Sequence, residues 1–567
     1  MMARIPESTY VTTQQAVIHA LFVKHRSMSV VGRALGITMI RVREALVQHE
    51  RNVMRDAGMK VPPLREMLKG DVTTRFGVSR KEAGGRPAKY KQHGSYSTKI
   101  APTGSDRDGS PMISIPAYGV SRLIVTSVEP DARVHGGFWR NLKAYASACG
   151  AGLAVARVGW VSPKRPVRGD HADHIANEQF GIDGLLDVAL DERVLPRLTR
   201  PLETVRHRSS ACWTIIVHPA VQFETLPRLR VDGYKAQLTT GAMTVPLNRT
   251  TPGRRELGAV IIEVTAGGLV YCRHILADVD GDGSFHDLDV HVSNGSVQRG
   301  CRVEALTFGD IHHAHLDPAV AAATWGSSEE RPIQSVSLVD RLRPKYMVFH
   351  DVCDFDARNH HDRKDHHRRF AQMVAGGGDV RAELTATADF LRKTRREWAQ
   401  SIVVGSNHDG ALERWLAEAD FREDPENAIM FLECSMELHK RLAAGRSIDG
   451  FFEQTLRTMS ADGLVGVRFL QTGESLRIAG IETGIHGHLG ADGRQGDVRF
   501  FERLAIKATL GHTHRPTSRD GIYCSGVCQS ELRYARGPVT AWGVGHVVTY
   551  PNGTRQHLIF IGNAFHG

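Results

Sequence analysis

The chain of 567 residues contains no apolar run long enough for a secretory leader or a membrane span. The expectation is a cytoplasmic protein with no membrane partner. Cysteine is scarce: the eight residues are scattered and none forms a Cys-x-x-Cys pair. Cys524 and Cys528 stand four apart with no matching His or Cys pair, so a thiolate zinc site is not expected and reduced thiols are. Neither sign of charge dominates. Seventy-two Lys and Arg against 62 Asp and Glu leave a formal charge of +10, which favours a polyanionic partner without naming one. A hydrophobic content of 41% and a charged content of 24% are those of a soluble globular protein. The length suggests about three domains.

Residues 14–50 read as helices. Within them Val30-Val31-Gly32-Arg33-Ala34-Leu35-Gly36-Ile37-Thr38 has the punctuation of a helix-turn-helix. Gly32 lets two helices approach, Gly36 takes the turn and Val42 packs the second helix back. That helix would offer Thr38, Arg41, Arg43 and His49 to DNA. An ordinary helical hairpin is the plainer alternative. Residues 76–117 are rich in Gly, Ser, Pro, Lys and Arg and read as a basic flexible linker, in which Gly85-Arg86-Pro87 resembles a minor-groove hook only faintly.

Residues 118–300 read as an α/β region of unknown role. An apolar, β-branched run at 121–127, a helical pattern at 137–148 and a second apolar run at 153–158 give a strand–helix–strand unit, with further strands at 213–217, 259–264 and 270–275. Asp278, Asp280, Asp282 and Asp289, with Gly283, match much of a calcium loop. Their flanks read as strands and the twelfth position is Asp rather than Glu, so an exposed turn is the expectation.

From residue 301 to the end, the pattern of strand, loop and helix repeats, and five islands of metal-gripping residues punctuate it. They are Gly309-Asp310-Ile311-His312, Asp351-Val352-Cys353-Asp354, Ser406-Asn407-His408-Asp409, Thr483-Gly484-Ile485-His486 and Gly511-His512-Thr513-His514. Each follows a strand-like run: 303–308, 346–349, 401–404, 478–485 and 508–510. On extended backbone a spacing of two points Asp310 and His312, or His512 and His514, the same way. Five strand ends could then meet on one rim of a single sheet. Eight of the 29 histidines fall between positions 312 and 367. Oxygen and nitrogen donors without thiolate suit manganese, with magnesium or iron as alternatives, better than structural zinc.

The ordered set resembles the calcineurin-like metallophosphoesterase superfamily, whose pattern is Asp-x-His, Gly-Asp-x-x-Asp, Gly-Asn-His-Asp/Glu, a lone His and Gly-His-x-His. His350 and Ser406 replace glycines of that pattern, and no ligand is lost. The resemblance implies an α/β sandwich over residues 301–567 that binds two divalent metal ions. One ion would be held by Asp310, His312 and His514, the other by Asn407, His486 and His512, with Asp351 bridging. His488 is the alternative to His486. The resemblance also implies that His408 protonates the leaving group and that Asp354 orients it.

A further likeness, to early-infection DNases of large tailed phages, rests on Leu123-Ile124-Val125-Thr126-Ser127, on Val134-His135-Gly136-Gly137-Phe138-Trp139 and on Tyr550-Pro551-Asn552-Gly553-Thr554-Arg555-Gln556. It implies a metal-dependent phosphodiesterase that cleaves DNA in the host cytoplasm. The alternatives are a phosphodiesterase or phosphatase acting on small nucleotides or phosphoproteins, and a DNA-binding regulator that uses the fold as a scaffold. A homo-oligomer is compatible with all three.

Overall fold

The computed structural model describes Ile18, His19, Val31 and residues 39–56, and then residues 112–566 apart from 130–131, 159–168, 177, 191–193, 205–209, 231, 246–255, 327–335, 361–364, 495, 497, 530–536 and 563. The chain divides into two compact units, residues 1–99 and residues 100–567.

In the first unit the helix Met39–Asp56 buries Val42, Leu46 and Val47. These positions are four and five apart, one face of a 3.6-residue period. His49 belongs to the same buried set and stacks on His19 with ring centroids 4.2 Å apart. Sequence reading placed His49 on the exposed, DNA-facing side. Instead it packs inward, because it lies seven after Val42 and shares its face. The turn at Gly36, Arg33 and Thr38, the side chains of Arg41 and Arg43, and all of 76–111 lie outside the described residues.

The second unit is a mixed α/β structure with three large sheets. Its first sheet has eight strands, with Val120–Val128 at the centre, parallel to Ala151–Arg157 and antiparallel to Glu256–Thr265. The helix Gly136–Cys149 makes the crossover, as the sequence pattern predicts. The His135 imidazole caps it by accepting from the Phe138 N–H, and Gly150 ends it in the left-handed region at φ 65°. Alternate residues serve two cores. Ile124 and Ile261 face Phe138 and Leu142 of that helix, while Leu123, Val125 and Ile262 face Trp213, Ile215 and Leu238 of a second sheet.

That second sheet has ten strands and crosses the boundary expected at residue 300. Strands Phe180–Ile182 to Ala236–Thr239 share it with Arg477–Ile478, Ile481–Glu482, Ala508–Leu510, Thr517–Arg519 and Ile522–Cys524, through the pairing of Phe223–Thr225 with Thr517–Arg519. A buried polar network adds a second tie. The Gln556 amide donates to the His274 carbonyl at 2.7 Å and to Asp287 at 2.8 Å, and accepts from Tyr550 at 2.8 Å. The middle region is therefore built into the same body as the region that follows it.

The third sheet has six strands. Ala305–Thr307, Tyr346–Phe349, Gln400–Val404 and Val467–Leu470 run parallel, and Gly545–Thr549 and Arg555–Ile559 close one edge antiparallel. Leu306, Met347, Phe349 and Val403 pack on the helices that cover one face. Ala305, Val348, Ile402 and Val404 pack on Ile478 of the ten-stranded sheet.

Candidate metal centre

Three of the five islands follow strands of the six-stranded sheet: Ala305–Thr307, Tyr346–Phe349 and Gln400–Val404. The other two follow Ile481–Glu482 and Ala508–Leu510 of the ten-stranded sheet. The ligand candidates thus meet between two sheets, not along one rim. The single strand expected at 478–485 is instead a hairpin of two-residue strands, turned at Ala479 and Gly480, which both take positive φ.

The local backbone also departs from the extended form assumed for the spaced pairs. His312, Asp351, His512 and His514 sit in the left-handed region, at φ 43°, 45°, 67° and 57°. Such φ values are uncommon for residues with a Cβ and cluster where function demands them. At each strand end the chain turns sharply and aims the side chain into the gap.

Asp310, His312, Asp351 and His514 are all buried, and one ligand atom from each lies within 4.8 Å of every other. His514 Nε2 is 3.1 Å from Asp310 Oδ2 and 3.2 Å from His312 Nε2. His486 Nε2 reaches Asp351 Oδ2 at 3.2 Å, and its ring lies 5.2 Å from that of His512. His512 also places its backbone N–H 2.8 Å from Asp310 Oδ2. His488 lies behind this pair, its ring 5.4 Å from that of His486. The structure thus gathers every predicted ligand except Asn407 by direct contact. Asn407 faces the small recess shared by Asp354 and His408.

A donor set meant for a cation should keep buried acceptor atoms that the protein itself does not satisfy. Asp310 Oδ1, Asp351 Oδ1 and Asn407 Oδ1 are buried without a hydrogen-bond partner among the described residues. Packed protein seldom tolerates that many orphans so close together. The residues present fit a divalent ion.

Electrostatics agree with the geometry at His512 and His514, whereas at His486 the carboxylates of Asp351 and Asp310 outweigh burial and raise the pKa. Burial alone would raise the Asp351 carboxyl, but the neighbouring His486 and His408 hold it well below the usual carboxylate range. Burial, reinforced by His486, pushes His512 down to about 4. Burial likewise lowers His514. Neutral imidazole is the form that binds metal. His350, which replaces a glycine of the pattern, is buried against His486 with Nδ1 atoms 3.3 Å apart, and burial brings it to about 4.

His408 is placed differently. Burial opposes its proton, yet Asp351 and Asp354 outweigh burial and raise its pKa to about 10. Its Nδ1 lies 3.3 Å from Asp354 Oδ1. Asp354 gathers three histidines: His312 at 2.8 Å, His315 at 3.3 Å and His408 at 3.3 Å.

Several residues of this neighbourhood carried no signal of their own in the sequence. His315 bridges Asp354 and Asp356, two hydrogen bonds that raise it to about 9 against burial. Glu383, on the helix Val380–Thr394, accepts from the backbone N–H groups of Asp356 and Ala357 at 2.8 Å and so pins the loop that carries Asp351 and Asp354. His546 Nδ1 accepts from Gly309 N–H at 3.0 Å. Trp542 lies edge-on to His514, centroids 4.7 Å apart. The aspartates 278–289 do not form a metal cluster among the described residues. Asp278 and Asp282 accept from Asp280 N–H and Ser284 N–H in a turn, and Asp289 binds Arg341.

No family model matches the chain. Over 469 residues it is 30% identical to Protein A1 of Escherichia phage T5, an alignment that covers 78% of this chain and 82% of that protein. The chain belongs to the family of phage T5 Protein A1. The alignment is long enough to take in most of both α/β regions. The name Protein A1 specifies no activity, so the chemistry must be argued from the site. Among the described residues no helix is long and apolar enough to cross a membrane.

Proposed function

We propose that the chain is a metal-dependent phosphodiesterase of the calcineurin-like metallophosphoesterase superfamily, and that it cleaves DNA. The observation that carries this reading is the set of buried, unsatisfied acceptors on Asp310, Asp351 and Asn407, where a cation is the natural partner. On this reading Asp310, His312 and His514 hold one divalent ion, Asn407, His486 and His512 hold another, and Asp351 serves both. Manganese suits the donor set, with magnesium or iron as alternatives. Bound ions would supply Lewis acidity toward a phosphoryl group, which a hydrolase without a covalent nucleophile needs.

The chain's own residues do the rest. His408, whose Nδ1 lies 3.3 Å from Asp354 Oδ1, would give a proton to the departing alkoxide. Asp354 keeps that imidazole and the His312 ring in fixed orientations. The formal charge of +10, the helix Met39–Asp56 and the basic stretch 76–117 favour DNA over a small phosphate ester. Membership in a phage protein family fits work in the host cytoplasm.

The decisive experiment incubates the purified full chain and manganese with plasmid, single-stranded DNA, RNA and bis-p-nitrophenyl phosphate, with and without excess chelator. Cleavage of DNA and of the small diester, both abolished by chelator, is the expected result. Cleavage of the small ester alone would favour the small-nucleotide alternative. Hydrolysis that continues unchanged in chelator would overturn the metal reading.

A further inference from the structure

Beside the metal centre lies a cavity of about 250 Å³ that the proposed hydrolysis does not use. Its walls are the loop at Asn359 and His360, the helix His366–Val374 and the helix Ala411–Glu418. Asn359, His360 and Ala411 also line the small recess that reaches Asn407, His408 and Asp354. The two spaces therefore adjoin on the side of the site where His408 stands.

The helix Ala411–Glu418 grades the cavity chemically. Ala411 borders the recess, Arg414 comes one turn further on and Glu418 another turn beyond. Arg414 Nη1 lies 3.1 and 3.2 Å from the two ring nitrogens of His360. Among the described residues no carboxylate pairs with Arg414. Arg369 reaches Asp424 only at 3.9 Å, and that carboxylate already holds Arg358 at 2.5 Å. Of these two guanidinium groups, Arg414 is the one left without a carboxylate among the described residues.

Trp415, wedged between Phe355 and Phe431, gives an aromatic wall. Glu418, Asp420, Glu423 and Asp424 also line it. A guanidinium without a carboxylate partner beside an aromatic wall suits one phosphate and one flat polar ring. The volume lies below the usual range for drug-sized ligand sites, so it suits a single ring system rather than a base pair.

We propose that this cavity seats one unpaired nucleoside of the substrate strand, next to the phosphate that is cleaved, with Arg414 contacting the adjoining phosphodiester. The inference rests on the phosphodiesterase reading and narrows it to strands whose terminal or extruded base can leave the stack.

The test uses the full chain with manganese and compares kcat/KM for the p-nitrophenyl ester of thymidine 5′-phosphate with that for bis-p-nitrophenyl phosphate. Binding of thymidine 5′-monophosphate to metal-free protein is measured alongside. The nucleoside ester should be preferred by roughly ten- to hundredfold, the scale of one stacked base. Arg414→Ala should collapse that ratio and weaken nucleotide binding, and Arg414→Lys should restore part of both, since it keeps the charge but not the planar group. Hydrolysis with no nucleoside preference, or a preference unchanged in Arg414→Ala, overturns the cavity assignment alone. Absence of all hydrolysis with Arg414-dependent nucleotide binding intact overturns the phosphodiesterase reading instead and leaves the nucleoside site standing.

Discussion

His312 Nδ1 lies 2.8 Å from Oδ1 of Asp354, both side chains fully buried. An ionised carboxylate only accepts hydrogen bonds, so His312 must donate through Nδ1. Its Nε2 then carries the lone pair, and that atom faces His514 at 3.2 Å and Asp351 at 3.6 Å. Asp354 thereby sets the tautomer of a predicted ligand as well as the position of His408. The sequence reading gave it only the second task.

Asp354→Asn should therefore damage two functions together. An amide can present its NH2 to His312 and favour the wrong tautomer. Metal affinity should fall roughly 10- to 100-fold, the usual cost of losing a residue that orients a ligand, and the rate should fall even at saturating metal. Calorimetric titration with manganese, beside kcat for bis-p-nitrophenyl phosphate, checks both. Unchanged metal affinity would confine Asp354 to His408.

His408→Ala should separate chemistry from binding. His408 touches Asp354 and lies edge-on to His312, but its nitrogens are outside the Asp310–His312–Asp351–His514 cluster. Both metals should remain, while the rate on DNA falls roughly 10²–10⁴-fold, the range for a general acid. A nitrophenolate leaves without a proton, so the loss on bis-p-nitrophenyl phosphate should be smaller. Equal losses on both substrates would make His408 structural.

Gly511→Ala should disable the centre without touching a ligand. A Cβ there would clash with Asp310 Oδ1 and fall only 3.0 Å from the His350 ring and from His486 Nδ1. The site must spread to admit it, at about 1–3 kcal/mol. Manganese content by mass spectrometry should drop, with a modest loss in thermal stability. Full metal occupancy would show that the two sheets can slide apart cheaply.

Removing residues 1–75 should weaken DNA binding and flatten its dependence on salt while leaving cleavage of a small diester intact. Arg33, Arg41 and Arg43 are the expected phosphate contacts, each worth about 0.9 in the slope of log K against log salt. His49 is not among them, since it is buried against His19. A slope that does not move would assign the helical module to another partner.

Acid should loosen the eight-stranded sheet through Glu263. Burial alone would raise this carboxyl, but Arg273 and hydrogen bonds from His566, Arg273 and Arg122 hold it below the usual range. A folded pKa below the unfolded one stabilises at pH above the unfolded value, about 4.3, and that contribution fades as pH falls below it. Glu263→Gln should cost about 2 kcal/mol at neutral pH, as for a hydrogen bond to a charged group. The gap between its unfolding temperature and that of the parent should narrow as pH falls below about 4.3 and close only as pH passes through the lowered folded pKa. A gap that persists in acid would mean that packing, not charge, accounts for the loss.

The sequence by itself determined the chemistry on offer. Asp310, His312, Asp351, His486 and His514 were legible because ligating residue types recur after short apolar runs, and such runs form strands wherever they sit in a fold. The helix Gly136–Cys149 and its parallel strands were legible for the same reason. These signals are local, set by spacing and by the side chains at hand.

Tertiary structure decided how those residues meet. Nothing in the spacing says that His486 and His512 come from a different sheet than Asp310 and Asp351, because strand pairing joins segments hundreds of residues apart. The ten-stranded sheet joins Phe223 to Ser518 across the boundary that the change of pattern suggested at residue 300. The left-handed turns at His312, Asp351, His512 and His514 were hidden too. Their cost is met by packing from both sheets, which no single segment encodes. Glu383 and His49 make the same point: one pins the metal loop from a distant helix, and the other is turned inward by the face it shares.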